Sequence, residues 1–498
     1  MSDPLALRAA LRDLKHPVMA GRAVAPALLP EQLGDPEFLR EHRVRYAYAT
    51  GAMANGIASV ELVVAGAKAG LLSFFGAAGL GLEKVEAAID RLQASLGDIP
   101  HGFNLIHSPS EPALEEGVCD LYLRRGVRLV EASAFMGLTP AIVRYRLNGL
   151  RRGADGRVEA QNKVVAKVSR SEVAEKFLSP APEAMLREMA AAGLITSEQA
   201  ALAAEIPMAQ DVTVEADSGG HTDNRPLVSL LPATIALRDR VQARYRFANP
   251  PRIGAAGGIA TPASAAAAYM MGAAYVLTGS VNQACVESGS SDQVRKMLSA
   301  AGQADVAMAP AADMFELGVK VQILKRGTMF AMRGAKLYEV YRAHDSIESI
   351  PSAVRAPLER DLFREPLEAV WEKTRAFFQQ RDPSQVERAE KDPKHKLALV
   401  FRSYLGQASR WANAGVPDRV LDYQVWCGPA MGAFNEWAQG SYLQAPENRR
   451  AATVARNILY GAAVLTRAHF LRCQGVVLDP ETVRIEPLTP EELDRQLN

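Results

Sequence analysis

The chain lacks an excess of charge of either sign. Its 57 lysines and arginines stand against 56 aspartates and glutamates, so the formal net charge over 498 residues is +1. Proteins that bind nucleic acids or anionic membranes normally attract these partners through a surplus of basic residues. We therefore expect neither nucleic acid nor membrane among the partners of this protein.

Cysteine is also scarce. The four cysteines, at positions 119, 285, 427 and 473, form no CxxC pair and stand at no zinc-ligand spacing from a histidine. A disulfide scaffold and a structural zinc site are therefore not expected, and we predict no metal. The first 21 residues scatter charged residues where a signal peptide needs a continuous apolar core, which predicts a cytoplasmic protein.

Two nucleotide-binding motifs are missing. No GxGxxG run follows a predicted strand, since Gly76, Gly79 and Gly81 have the wrong spacing, and no glycine-rich loop ends in Gly-Lys-Ser/Thr. These absences argue against a doubly wound nucleotide-binding sheet and against a P-loop enzyme.

Long uncharged runs are rare, and the one at residues 253–286 would suffice in length to cross a bilayer. It is interrupted by glycine and proline, and it is rich in alanine and serine rather than in large apolar residues. This composition favours a strand, a glycine turn, a buried helix and a second strand over a membrane span.

The first 280 residues alternate apolar strand patterns with helical ones such as 82–96 and 112–125. Such alternation predicts parallel strands joined by helical crossovers, and eight strands suffice for a closed TIM-type (β/α)8 barrel. The predicted strands are 46–50, 70–75, 101–106, 128–133, 163–168, 211–215, 252–256 and 275–278.

Two further regions complete the predicted architecture. A helical insertion at 181–207 divides the fifth and sixth strands and is a candidate lid or contact surface. We expect a barrel domain over residues 1–309 and a mostly helical unit over 310–498. The charge-rich run at 381–396 is most simply a solvated face; a docking surface for an acidic partner is the alternative.

Two glycine clusters follow the last two predicted strands. Gly257 and Gly258 come after the seventh strand, and Gly279 and Ser280 come after the eighth. Loops at these two positions of a parallel barrel often hold a phosphate, because glycine lets an anion approach the backbone amides. Each cluster alone is ordinary turn chemistry, but together they predict a phosphate clamp.

Other rim positions carry polar or flexible residues. The turn Gly51-Ala52-Met53 could let a flat ring lie against the backbone, or it is simply a tight turn into a helix. Asn104 offers a donor and an acceptor to an imide edge such as that of a flavin, or it is a capping or core asparagine. Lys167 could place a positive charge beside an anionic flavin.

His221 follows the sixth strand and is preceded by Gly219 and Gly220. Histidine is the side chain best suited to donate a proton near neutral pH. The alternative is an exposed loop histidine without a chemical role.

Read in order, the motifs around Gly51, Asn104, His221, Gly257 and Gly279 resemble the flavin-dependent enoyl reductase and nitronate monooxygenase family over residues 40–290. A narrower resemblance covers almost the whole chain. Long motifs at 277–341, 381–412 and 422–437, the last reading DYQVWCGPAMGAFNEW, are similar to the PfaD family, the standalone enoyl reductase subunits of polyunsaturated fatty acid and polyketide synthases.

The resemblance implies reduction of a 2-enoyl thioester, carried by an acyl carrier protein, with NADPH through FMN. It implies that the loops after strands seven and eight hold the FMN phosphate, that Gly219 and Gly220 lie near the cofactor, and that His221 is the proton donor or stabilises the enolate. By analogy it also implies a homodimer that works with other synthase subunits. The sequence departs from the short bacterial enoyl reductases at Asp217 and Ser218.

Two alternatives remain at this point. One is an oxidase of the nitronate monooxygenase type, which would use oxygen instead of NADPH. The other is a catalytically silent flavoprotein that serves as a structural subunit of a synthase.

Overall fold

The computed structural model describes residues 4–109 and 111–497, and its centre is a closed barrel of eight parallel strands. Each strand pairs with its neighbours in chain order, and the first strand pairs with the eighth. All eight predicted strands and the barrel are therefore confirmed. The strands are β1 (Tyr48–Thr50), β2 (Leu72–Phe75), β3 (Gly102–Ile106), β4 (Leu129–Ser133), β5 (Lys163–Val168), β6 (Asp211–Glu215), β7 (Arg252–Ala256) and β8 (Val276–Thr278).

Helices surround the barrel, because each crossover must bury an apolar stripe against the strands. The helix at 82–96, for example, turns Val85, Ile89 and Leu92 inward. The crossover helices are Val60–Lys68, Leu82–Leu96, Pro112–Arg124, Pro140–Leu147, Ser171–Leu178, Leu227–Tyr245 and Pro262–Met270. Before β1, the chain forms the helix Pro4–Arg12, a hairpin of Val18–Ala20 and Ala23–Ala25, and the helix Pro36–His42.

The uncharged run at 253–286 is the strand, turn, helix and strand that its composition predicts. Its helix, Pro262–Met270, is covered on the outside by the long helix Ala451–Cys473, of which 15 residues are buried. The two helices approach closely, since a Cβ on Gly461 would lie 2.6 Å from Cγ of Pro262. Burial on both sides explains the missing charges. In the described part of the chain, no helix is long and apolar enough to cross a membrane.

The insertion at 181–207 contains the helices Glu183–Ala191 and Ser197–Leu202. It precedes β6, and Glu205 forms a 2.5 Å ion pair with Arg152 of the hairpin Arg151–Arg152 and Val158–Glu159, which precedes β5. Connections that precede strands lie at the amino end of a parallel barrel, opposite the rim where sites form. The expectation of a lid is therefore wrong, whereas a contact surface stays a prediction.

The part of the chain after β8 is mostly helical, as expected. It begins with the helices Ser280–Gln283 and Asp292–Ser299 and an antiparallel pair of strands, Val306–Pro310 and Lys320–Leu324. The helices that follow are Phe330–Ala343, Ser352–Pro357, Leu367–Arg381, Pro383–Lys391 and Pro393–Ala414, then Ala430–Ala438, Ala451–Cys473, Pro480–Val483 and Pro490–Leu497. Between Ser352–Pro357 and Leu367–Arg381 lies the π-helix Leu358–Phe363.

The hydrophobic core divides the chain near the boundary expected at residue 309, and it divides the chain a second time after Ala408. One cluster, from Ala309 to Ala408, holds the helices of residues 330–414 together. The buried residues between Val425 and Leu497 belong instead to the cluster of the barrel and its helices. We therefore use the name helical unit for the helices of residues 330–414. The segments before and after this unit pack with the barrel.

A buried charge cluster closes the amino end of the barrel. Phe38 stacks on Tyr275 with ring centroids 4.3 Å apart. Next to them, Asp211 accepts hydrogen bonds from Nε of Arg252 at 2.6 Å and Nε2 of His42 at 2.7 Å. Burial opposes ionisation, but Arg252 and His42 hold the pKa of Asp211 well below its usual range. Asp211 is therefore an ionised carboxylate that satisfies two buried partners.

Replacing Asp211 with asparagine should lower the free energy of unfolding by about 3–5 kcal/mol, because it leaves buried charge unpaired. Asp120→Asn, at the surface pair with Arg144, is the matched control and should change it by less than about 1 kcal/mol. Because the folded pKa of Asp211 is depressed, its contribution exists above the unfolded pKa and is lost as the pH falls through the folded pKa. Urea denaturation at pH 7 and at pH 2.5, which lies below the unfolded pKa, measures both effects; equal midpoints for both variants at pH 7 would contradict this role.

Candidate active site

Free backbone amides collect at the ends of β7 and β8. Over residues 4–109 and 111–497, no acceptor takes a hydrogen bond from the N–H groups of Gly257, Gly258 or Gly279. A Cβ built on Gly258 or on Gly279 would meet no atom within 4 Å, so both residues face open space. Gly258 has a φ of 75°, a conformation that favours glycine. Unpaired donors that face open space are what an anion needs.

Residues of the C-terminal part cover this rim. We name residues 424–428 the roof segment; it runs beside the strand Lys320–Leu324 through a bridge between Ile323 and Trp426. Its Gly428 donates a backbone hydrogen bond to Oγ of Ser280 at 3.1 Å. Gly219 lies so close to the roof segment that its Cβ would be 2.8 Å from the nitrogen of Cys427. The absence of a side chain on Gly219 therefore permits this close packing. Because Oγ of Ser280 only accepts the hydrogen bond from Gly428, its hydroxyl hydrogen remains free to be donated to a ligand.

The turn after β1 is bonded within the protein. The amide of Gly51 donates to the carbonyl of Thr278 at 3.0 Å, and the amide of Ala52 donates to Oε2 of Glu131 at 3.1 Å. These two donors are thus not free for a ligand. A flat ring at this position would contact the surface of the turn and the half-buried Met53 rather than the two amides.

Asn104 is buried in β3, and both N–H groups of its side-chain amide already donate hydrogen bonds within the protein. Nδ2 donates to the carbonyl of Glu131 at 3.1 Å and to Oγ of Ser133 at 3.0 Å. The expectation of a free donor is therefore wrong, because the neighbouring strand takes both N–H groups. The carbonyl oxygen of the side chain is what Asn104 can offer, and it suits an N–H donor such as that of an imide.

Three charged side chains meet inside the barrel just below the rim. Nζ of Lys167 lies 3.3 Å from Oε1 of Glu215 and 3.9 Å from Oε2 of Glu131. Burial disfavours the charge of Lys167, but Glu215 and Glu131 raise its pKa overall. Burial also raises the pKa of Glu131 to about 7, although Lys167 acts against it. Within the described chain, Oε1 of Glu131 has no hydrogen-bond partner.

His221 is held at the rim by the segment that follows the barrel. Gly220 and His221 pair with Gln322 and Val321 of the strand Lys320–Leu324. Nε2 of His221 lies 3.2 Å from Asp313, in the connection that leads to this strand. Burial lowers the pKa of His221, but the hydrogen bond and the charge of Asp313 raise it overall. Asp313 therefore favours the protonated form of His221.

The departure at Asp217 and Ser218 has a local explanation. Nε2 of Gln322 donates to Oδ1 of Asp217 and to the carbonyl of Ser218, both at 2.8 Å. Nδ2 of Asn224 also donates to Oδ1 of Asp217 at 2.8 Å. Asp217 therefore holds the loop that carries His221 against the strand Lys320–Leu324.

Several of these residues were missed from the sequence. Glu131 and Glu215 carry a signal, since each is an acidic residue near the carboxyl end of a predicted strand. Asp313 and Trp426 carry none, because they reach the rim only through the strand pairing of the C-terminal part. No group of three or more His, Cys, Asp or Glu residues within the described ranges could hold a metal ion.

The basic run at 381–396 does not present a uniform positive face. Arg381 pairs with Glu111, Lys394 donates to the carbonyl of His344 at 2.6 Å, and Lys396 lies 3.7 Å from Glu348. Among the basic side chains of this run, only that of Lys391 has no ion pair or hydrogen bond with another described residue. A carrier docking surface argued from this charge run therefore loses most of its support.

Comparison with known families gives two matches. Residues 41–358 match the model of the nitronate monooxygenase family, which covers the barrel and the antiparallel strands Val306–Pro310 and Lys320–Leu324. Residues 344–423 match the model of the inserted helical domain of [acyl-carrier-protein] S-malonyltransferase. The second match coincides with most of the helical unit.

Individual relatives cover nearly the whole chain. It is 50% identical over 91% of its length to a polyunsaturated fatty acid synthase subunit of Thraustochytrium sp., and 45% identical over 89% to the polyketide biosynthesis protein PksE of Bacillus subtilis. It spans only 31% and 58% of those two proteins. The enoyl reductase domain of MlnA from the macrolactin biosynthesis cluster of Bacillus amyloliquefaciens has 37% identity and a TM-score of 0.83, over 89% of this chain and 99% of that one.

Proposed function

Because this chain belongs to the nitronate monooxygenase family, we propose that it is a trans-acting enoyl reductase that uses FMN and NADPH. Its substrate is the 2,3 double bond of an enoyl thioester on an acyl carrier protein. The single observation that carries the proposal is His221, held by Asp313 at the same rim as the free amides of β7 and β8, in a chain of which 89% matches an enoyl reductase domain.

The resemblance to the standalone enoyl reductase subunits is confirmed by the relatives among fatty acid and polyketide synthases. Since the chain spans about a third of the first of them, its assembly with other synthase subunits is part of the proposal. The homodimer stays a prediction.

The residues at the rim fit FMN. The amides of Gly257, Gly258 and Gly279 and the hydroxyl of Ser280 supply donors for a phosphate, and the open space before Gly258 and Gly279 leaves room for it. The free oxygen of Asn104 suits the imide N–H of a flavin. Hydride transfer is the chemistry that a bound FMN supplies.

His221 delivers a proton to the α carbon of the thioester, or donates a hydrogen bond to the thioester oxygen as negative charge builds there. Asp313 favours its protonated form and fixes its ring. Lys167 holds positive charge below the rim, and its two carboxylate partners keep it protonated. Glu131, with a pKa of about 7 and an unpaired oxygen, can hold or release a proton at neutral pH.

The helical unit supports a carrier-borne substrate. It matches a domain that occurs in an enzyme acting on acyl carrier protein, and its helix Pro393–Ala414 contacts the rim where Asn55 donates to Oγ of Ser409 at 2.9 Å. We place the acyl carrier protein against this unit.

An anaerobic absorbance spectrum of the purified chain tests the function. We expect flavin bands that bleach with NADPH and return when an enoyl thioester is added. If bleached flavin returns only with oxygen, the chain is an oxidase of the nitronate monooxygenase type and the proposal fails. If the protein binds no flavin when supplied with FMN, the assignment of the amides at β7 and β8 fails with it.

A further inference from the structure

Two guanidinium groups lie on one aromatic ring at the edge of the rim. The Cζ atoms of Arg381 and Arg410 are 5.6 Å and 5.7 Å from the ring centroid of Phe377. Phe377 is 41% exposed and Arg410 is exposed, so this cluster faces solvent and is not part of a core. Stacking on a ring orients a guanidinium group while it leaves the N–H edges free.

The charges of this cluster do not cancel. Arg381 is satisfied by Glu111, whose two oxygens lie 2.5 Å and 3.0 Å from its nitrogens. The guanidinium group of Arg410 has no ion pair or hydrogen bond with any residue in 4–109 or 111–497. Although Arg410 reaches solvent, partial desolvation by the surrounding side chains and the charge of Arg381 lower its pKa, and Glu111 opposes them. Two cations with one carboxylate leave a surplus positive charge that an anion would stabilise.

The surplus positive charge of Arg381 and Arg410 lies next to the proposed active site. Ser409, adjacent to Arg410, bonds Asn55, which follows Met53 by two residues after β1. Glu111 follows β3, the strand that carries Asn104. Gly406 stands one helical turn before Arg410 on the same face, and a Cβ there would meet nothing within 4 Å. Open space therefore lies before this face of the helix.

We propose that Arg410, supported by Arg381 and Phe377, binds a phosphate group of a ligand that enters the active site over this edge. A guanidinium edge matches two oxygens of a phosphate, and a charge-assisted pair of this kind is stronger than a neutral hydrogen bond. The inference rests on the proposed function, in which both ligands carry phosphate: the phosphopantetheine arm of the carrier and NADPH.

The test uses the whole 498-residue chain with Arg410→Gln and two crotonyl thioesters that differ only in phosphate, those of 4′-phosphopantetheine and of pantetheine. We expect KM for the phosphopantetheine thioester to rise about tenfold, while KM for the pantetheine thioester stays unchanged. Arg388→Gln is the matched control, since Arg388 is an exposed arginine of the same unit with only a 3.9 Å ion pair to Asp392. It should change neither KM.

A second arm identifies the source of the phosphate. If Arg410→Gln instead raises KM for NADPH more than for NADH, the site binds the nucleotide phosphate. If no KM changes in either pair, the proposal is wrong.

Direct titration separates this proposal from the proposed function. Calorimetry with 4′-phosphopantetheine and pantetheine requires no turnover, so it applies even if the unaltered protein reduces neither thioester. A preference for the phosphorylated compound that disappears in Arg410→Gln supports the site. The absence of any preference in the unaltered protein, together with unchanged KM values for NADPH, overturns it.

Discussion

Replacing His221 with alanine should lower the rate of enoyl reduction roughly 10²- to 10⁴-fold, the range that a positioned proton donor contributes. Flavin should stay bound, because the free amides of β7 and β8 are unchanged. Stopped-flow spectroscopy separates the effect: the bleaching by NADPH keeps its rate, whereas the recovery with an enoyl thioester slows. Recovery at the unaltered rate would remove His221 from the mechanism.

Asp313→Asn refines this prediction through pH. A proton donor must be protonated, so the rate falls as the pH rises through the pKa of His221. Asp313 raises that pKa, hence its replacement should move the fall in rate to lower pH. A variant that is slower by the same factor at every pH would show that Asp313 has only a structural role.

Replacing Gly258 with alanine should weaken flavin binding about tenfold or more, because the new methyl group occupies the space before the free amides. A residue with a Cβ at a φ of 75° also lowers the free energy of unfolding by about 1–2 kcal/mol. A control variant must therefore distinguish this loss of stability from the loss of flavin binding. Fluorescence titration of the apoprotein with FMN measures the affinity.

Gly440→Ala supplies that separation. Gly440 also has a φ of 75° and nothing within 4 Å of its Cβ position, but it follows the C-terminal end of the helix Ala430–Ala438 and belongs to neither the β7 loop nor the β8 loop. Both variants should lose similar stability, and only Gly258→Ala should lose flavin affinity. Equal affinities in the two variants would contradict a phosphate at Gly258.

The barrel could be predicted from the sequence because its strands are short apolar runs between helical patterns, and buried parallel strands keep that pattern. Several predicted strands begin one or two residues too early. Tyr46, for example, is as apolar as the strand that follows, but its amide bonds the carbonyl of Gly70 outside the regular pairing. At this strand, the buried residues begin before the residues that pair with the neighbouring strand. Because an apolar sequence pattern indicates burial and not strand pairing, the predicted strand begins too early.

Only those parts of the site that stand in loops directly after predicted strands could be predicted from the sequence. The glycines of the β7 and β8 loops and His221 stand directly after strands, so their rim position follows from the barrel. The partner of His221 is 92 residues away and reaches it through a strand added to the rim. The occupied donors of Asn104 depend on the register between β3 and β4, which the sequence pattern does not specify.

The strand Lys320–Leu324 and the roof segment lie side by side, joined at Ile323 and Trp426. The two ends of the helical unit are therefore neighbours in space, and each is anchored to the barrel. The helical unit can therefore be regarded as a cassette whose flanking segments lie side by side at the rim. A short linker could replace this cassette without separating the barrel from its C-terminal helices. Exchange of this cassette between relatives offers a way to vary what approaches the rim while His221 and the glycine loops stay unchanged.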